Sequence, residues 1–119
     1  MNRFGFDEST WQAAKVEAKS ILKEYARRKN TVAYSEIAEG IRSVRLEPHD
    51  FRLFGLLGEI STEESTAGRG MLSALVVVKG ENKPGLGFFE LAKKLGYDVK
   101  EHDVFWAKEV KRVYAAWDK

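Results

Sequence analysis

Residues 68–96 read GRGMLSALVVVKGENKPGLGFFELAKKLG. Inside this stretch, residues 72–79 form the only long β-type run of the chain, and residues 72–78 are apolar on both alternating sets apart from Ser73. That pattern predicts a strand covered on both faces, or the central strand of a small sheet. Gly80-Glu81-Asn82-Lys83-Pro84-Gly85 is a turn by composition. Gly87-Phe88-Phe89 then either returns as a short strand or opens a helix over about residues 89–95, with Gly96 placed to close it. Strand, tight loop and short helix make one supersecondary unit. It decides the fold class, because nearly everything else reads as helix.

Upstream, Ser9-Thr10-Trp11-Gln12 has the form of a capping box. Trp11, Ala14, Ala18, Ile21, Leu22 and Tyr25 recur at three- and four-residue steps, which predicts an amphipathic helix near residues 10–28. Arg27, Arg28 and Lys29 suit its C-terminal end, and Asn30 stops it. Residues 31–34 are extended in character. Ser35 is expected to cap a short helix over 36–41, with Ile37, Ala38 and Ile41 inward. Residues 42–46 alternate as a turn or edge strand. Glu47-Pro48 is expected to open a third helix, with Pro at the first helical position. Its inward face is read as Phe51, Phe54, Leu57 and Ile60, widened by Leu53 and Leu56. Ser61-Thr62-Glu63-Glu64 repeats the capping-box pattern, either restarting a helix or marking a loop that runs to Gly70. Asp103 is expected to cap a final helix whose stripe is Trp106, Val110, Val113, Tyr114 and Trp117.

The chain has 119 residues, 44% hydrophobic and 12% aromatic, enough for one domain over 1–119 with its own core and too apolar for intrinsic disorder. Lys and Arg number 20 against 18 Asp and Glu, a formal net charge of +2. This balance permits a nucleic-acid ligand without demanding one. The absence of cysteine excludes a disulfide framework, a thiolate zinc site and a Cys nucleophile, and suits the cytoplasm. The opening MNRFGFDEST has no apolar signal region. The apolar run over 71–78 is too short to span a bilayer, so no membrane association is expected.

Helix, short strand, short helix, turn, longer helix, long strand, Gly-rich loop and return segment is the order of a winged helix-turn-helix unit. Here it covers about residues 31–90, flanked by N- and C-terminal helices. The fold class read from the chain is therefore α+β: a mostly helical single domain with a small antiparallel sheet, winged helix-turn-helix-like. Val32-Ala33-Tyr34-Ser35-Glu36-Ile37-Ala38 is similar to the helical entry of alkyltransferase-type DNA-binding domains, although alkyl transfer itself is excluded without a cysteine. Gly68-Arg69, Leu72-Ser73-Ala74, Val76-Val77, Pro84-Gly85, Gly87-Phe88-Phe89 and Leu91-Ala92, with Phe105-Trp106 and Trp117, resemble a family of small uncharacterised bacterial proteins over residues 57–117. That resemblance implies one complete domain and no known activity.

The leading functional expectation is a non-enzymatic binding module with DNA as the favoured ligand. Arg42, Arg45, His49, Arg52, Arg69, Lys79 and Lys83 are the contact candidates, neutralising phosphates while Arg52 reaches a base edge. Glu47 and Asp50 in the same turn weigh against it. The rival is a protein–protein or homodimer module using Phe105, Trp106, Val110 and Trp117. A metal-dependent hydrolase or nuclease comes third. His49 and His102 lack partners at ligand spacing, and Val77 stands where a nuclease pattern needs an acid two residues before Lys79. Glu59, Glu63 and Glu64 are expected in solvent. No metal and no cofactor are expected. Gly85-Leu86-Gly87 lacks the third glycine of a dinucleotide fingerprint and reads as a turn. Ser73 has no nucleophile elbow and reads as a satisfied hydroxyl. Arg69 is expected to pair with Glu59 or Glu63.

Overall fold

The computed structural model describes residues 2–3 and 5–118. It opens on a ribbon absent from the sequence reading: β1 (Asn2–Arg3) pairs antiparallel with β2 (Phe6–Asp7). Asp7 then caps α1 (Glu8–Arg28), its carboxylate accepting the Thr10 N–H at 2.7 Å. The Thr10 and Ser9 donors hold the Asp7 carboxyl below its ordinary pKa. Ser9, expected as the cap, instead donates its hydroxyl to Asp7. Lys29, in the left-handed conformation, ends the helix while the Asn30 N–H reaches the Tyr25 carbonyl. Trp11, Ala14, Ala18, Leu22 and Ala26 form the buried stripe.

β3 (Val32–Ala33) leads into α2 (Tyr34–Gly40), which starts before the expected Ser35 cap. Glu36 provides the cap function by accepting the Ala33 N–H at 3.0 Å. The next helix, α3 (Phe51–Thr66), begins after Pro48, not at it, because Asp50 accepts the Arg52 N–H at 2.9 Å and fixes the first turn there. It runs unbroken through the second capping-box pattern. Ser61 is buried and bonds across to Ser73, so its hydroxyl does not compete for the local backbone.

The valine-rich stretch departs most from expectation. Residues 72–79 are not one strand. Leu72–Leu75 is a turn of 3-10 helix, and only β4 (Val76–Val77) is extended. β4 pairs in parallel with β3, Val32 opposite Val76 and Ala33 opposite Val77. The sheet holding the valines is thus parallel, and the antiparallel pairing belongs to the β1–β2 ribbon. The cause is plain in the burial: Leu72, Ser73, Ala74 and Leu75 are all enclosed. An apolar run without alternation reports enclosure, which a tight helical turn satisfies as well as a strand. The Ser73 N–H finds its acceptor in the Ser61 hydroxyl rather than in a neighbouring strand.

α4 (Leu86–Lys94) contains Gly87-Phe88-Phe89, which are helical and not a return strand. Gly96 follows with φ +98°, a conformation that favours glycine, as the Tyr97 N–H bonds back to Ala92. α5 (His102–Ala116) starts just before the expected Asp103 cap. The protein is mostly helical α+β, and none of the described helices is long and apolar enough to cross a membrane. Its core has two clusters. Trp11, Leu22, Leu53, Ile60 and Val113 belong to the larger, and Met71, Phe88, Phe89 and Phe105 to the smaller. The 3-10 turn sits between them and touches α1, α3 and α5, with Leu72 and Leu75 in one cluster and Ala74 in the other.

Candidate functional site

Parallel pairing brings the C-terminal ends of β3 and β4 to one side. The chain leaves β3 at Tyr34-Ser35 and β4 at Val78-Lys79, and all four residues line one cleft of about 550 Å³. Gly85, Leu86, Gly87, Phe88 and Leu91 of the α4 entry add a second wall, Phe54, Leu57 and Gly58 of α3 a third, with Pro48, His49 and Ser73 completing it. The wall is chiefly apolar, with a few polar groups set into it. Crevices beyond the carboxyl ends of parallel strands are the usual ligand positions of α/β sheets.

Specific contacts hold the walls. Tyr34 meets the Phe54 ring edge-on at 5.5 Å. Its hydroxyl is pushed above its ordinary pKa by burial, offset in part by a hydrogen bond from the Gly85 backbone. The Ser73 hydroxyl, on the cleft wall, is backed by the buried Ser61 hydroxyl. Phe54 is 48% exposed and Phe51 66%, although both were expected inward. Steps of three residues fall short of the 3.6-residue turn, so a run of three such steps from Phe51 to Ile60 swings about half-way round the helix. The buried arc is Leu53, Leu56, Leu57 and Ile60, and it leaves Phe54 for the cleft.

A second cleft, about 480 Å³, abuts the first and shares Ser35 and Pro48 with it. Arg42 and Arg45 line it together with Glu39 and Glu47. The Glu17 carboxylate anchors this loop by accepting the Ser43 N–H at 2.9 Å and the Arg42 N–H at 3.2 Å, which lowers its pKa.

The expected cationic set is therefore divided. His49 and Lys79 line the first cleft, and Arg42 and Arg45 the second. Lys83 is exposed on the loop between β4 and α4. Arg52 forks onto the Asp50 carboxylate at 2.7–3.1 Å and lies over the Phe6 ring. Arg69 forks onto Glu64 at 2.8 and 2.9 Å, rather than pairing with Glu59 or Glu63. Those two acids take Lys15 instead. Glu64, expected in solvent, is 0% exposed and also receives Lys19 at 2.9 Å. The Arg69 fork, helped by Lys19, brings its carboxyl down to about 2 against the cost of burial. Such a fully partnered acid is structural in character and has no free oxygen to offer a substrate.

The expected interface residues Phe105, Trp106, Val110 and Trp117 all make contacts within the chain. The Trp106 indole N–H donates to the Ala74 carbonyl at 2.8 Å, and Phe105 packs on Phe88 and Phe89. Val110 packs on both clusters and Trp117 on the larger. Among the described residues, no group of three or more His, Asp or Glu gathers to hold a metal ion. Tyr34, Leu86 and Leu91 escaped the sequence reading as site residues. The one available signal was an apolar leucine between two glycines directly after Pro84, a costly place for an exposed side chain. No family model, curated protein or solved structure matches the chain.

Proposed function

We propose that this domain is a non-enzymatic binding module for a small, largely apolar molecule seated between the ends of β3 and β4 and the entry of α4. The apolar cleft of about 550 Å³ carries this reading. Its volume falls in the range of roughly 300–1,000 Å³ typical of small-molecule sites, which combine apolar walls with a few fixed polar groups. Tyr34, Ser35 and Ser73 supply such groups. Leu86, 70% exposed at the rim, gives up water contact when a ligand covers it.

Gly58 provides the test. A Cβ there meets only Leu91 at an ordinary 3.7 Å, so a larger side chain fits and grows into the cleft. Gly58→Leu also raises helix propensity within α3. Nile red fluorescence is expected to rise with the native protein and to stay near its free-dye level with Gly58→Leu, at an unchanged or higher melting temperature. Equal dye binding by both proteins counts against the cleft.

A second reading, DNA binding through the loop that carries Arg42 and Arg45, is favoured by one observation. Arg42 and Arg45 share a cleft and form no ion pair among the described residues. Salt-sensitive retention on immobilised DNA that is lost in Arg45→Ala supports it, and passage through the column at low salt rejects it.

A further inference from the structure

We infer that the molecule held in this cleft is an amphiphile ending in a single carboxylate, with Lys79 as the residue that selects its charged end. The inference rests on the proposed binding function and goes beyond it by naming the ligand class.

The charge pattern of the wall is its basis. Neither Asp nor Glu lines the cleft, while Lys79 and His49 do. Elsewhere the protein neutralises its inward cations: Lys15 meets Glu59 and Glu63, Lys19 meets Glu64, and Arg52 meets Asp50. Lys79, exposed two residues beyond β4 where it borders the cleft, has no such partner among the described residues. An ammonium beside an apolar wall favours an anion there, and the low-dielectric surface strengthens that preference relative to open water.

The geometry adds direction. Lys79 follows Val78 at the end of β4, and the first turn of α4, Gly85-Leu86-Gly87, lines the same cleft. Gly85 caps α4 without a side-chain acceptor, so the positive end of that helix is not neutralised by its own cap. Phe54, Leu57, Phe88 and Leu91 supply the apolar wall for the ligand's body. A hydrocarbon chain against those residues, with its carboxylate at Lys79, satisfies both halves of the surface. A neutral chain leaves the cation without its partner, and an amine meets like charge.

Three probes of equal chain length separate the possibilities: decanoic acid, decanol and decylamine, titrated calorimetrically into the full chain at neutral pH, below their aggregation limits. Decanoate is expected to bind about ten-fold tighter than decanol, the scale of one partly solvated charged hydrogen bond. Decylamine is expected to bind weakest. Added salt should shrink the acid's advantage. Lys79→Met keeps the bulk of the side chain, and should abolish the advantage of decanoate over decanol. If decanol equals decanoate in the native protein, the charge selection is overturned and the apolar cleft stands. An acid preference that survives Lys79→Met overturns the role of Lys79. If none of the three binds, or if Gly58→Leu binds them as the native protein does, the cleft reading falls as well.

Discussion

Trp11→Ala is expected to destabilise the domain by about 3–5 kcal/mol, the range for removing a large aromatic side chain from a packed core. Trp11 is 0% exposed and lies on the stripe that α1 turns to the larger cluster. Its loss removes the stacking surface for Phe6, whose ring lies 6.3 Å away, and so loosens the β1–β2 ribbon from α1. It also removes the indole N–H that Glu59 accepts at 3.0 Å. Domains of this size are typically stable by about 5–15 kcal/mol, so the change consumes a large share. A fall in melting temperature of roughly 10–20 °C is the expected reading, from the usual entropy of unfolding at this length. Trp11→Phe keeps most of the buried surface and should recover more than half of the loss. A shift of only a few degrees for Trp11→Ala contradicts the packing described here.

The second large effect concerns acid. The folded-state pKa of Glu64 is brought from 4.5 to about 2 by Arg69 and Lys19. Its folded value lies below its unfolded one, so its stabilisation is complete above about pH 4.5 and is lost as pH falls towards 2. Glu64→Gln keeps the shape and abolishes the titration. It should be less stable than the native protein at neutral pH by roughly 2–3 kcal/mol, the size of such a shift after allowance for the partly exposed partners. The gap between the two proteins should close through that acid window. Asp7, Glu17 and Asp50 also titrate low, but they do so in both proteins and cancel in the difference. Thermal melts from neutral pH to about pH 2 check this, and two parallel curves refute it.

How far these features were legible depends on how local their signals are. The span of α1 followed from the steps between Trp11, Ala14, Ala18 and Leu22, because a long amphipathic helix repeats its signal. β3 and β4 have two residues each and leave no period to find. Their parallel pairing joins Val32 to Val76, a relation that no local pattern carries. The burial of Leu72–Leu75 was legible, its backbone shape was not. Glu64 looked solvated because glutamate usually is. Its clamp comes from Arg69, just past the end of α3, and from Lys19 on another helix. Lys79 and His49 stood out as contact candidates, but their shared apolar setting exists only once α3 and α4 meet around them.

The 3-10 turn at Leu72–Leu75 has a further consequence for how the domain comes apart. It is the one short piece wedged between both apolar clusters, with helices from the two ends of the chain resting on it. Pulling either terminal helix away strips the wedge bare on one side, and the opposite cluster loses its backing in the same event. The architecture thus leaves neither cluster an independent footing, and its melting is expected to be all-or-none, with the two ends of the chain lost together.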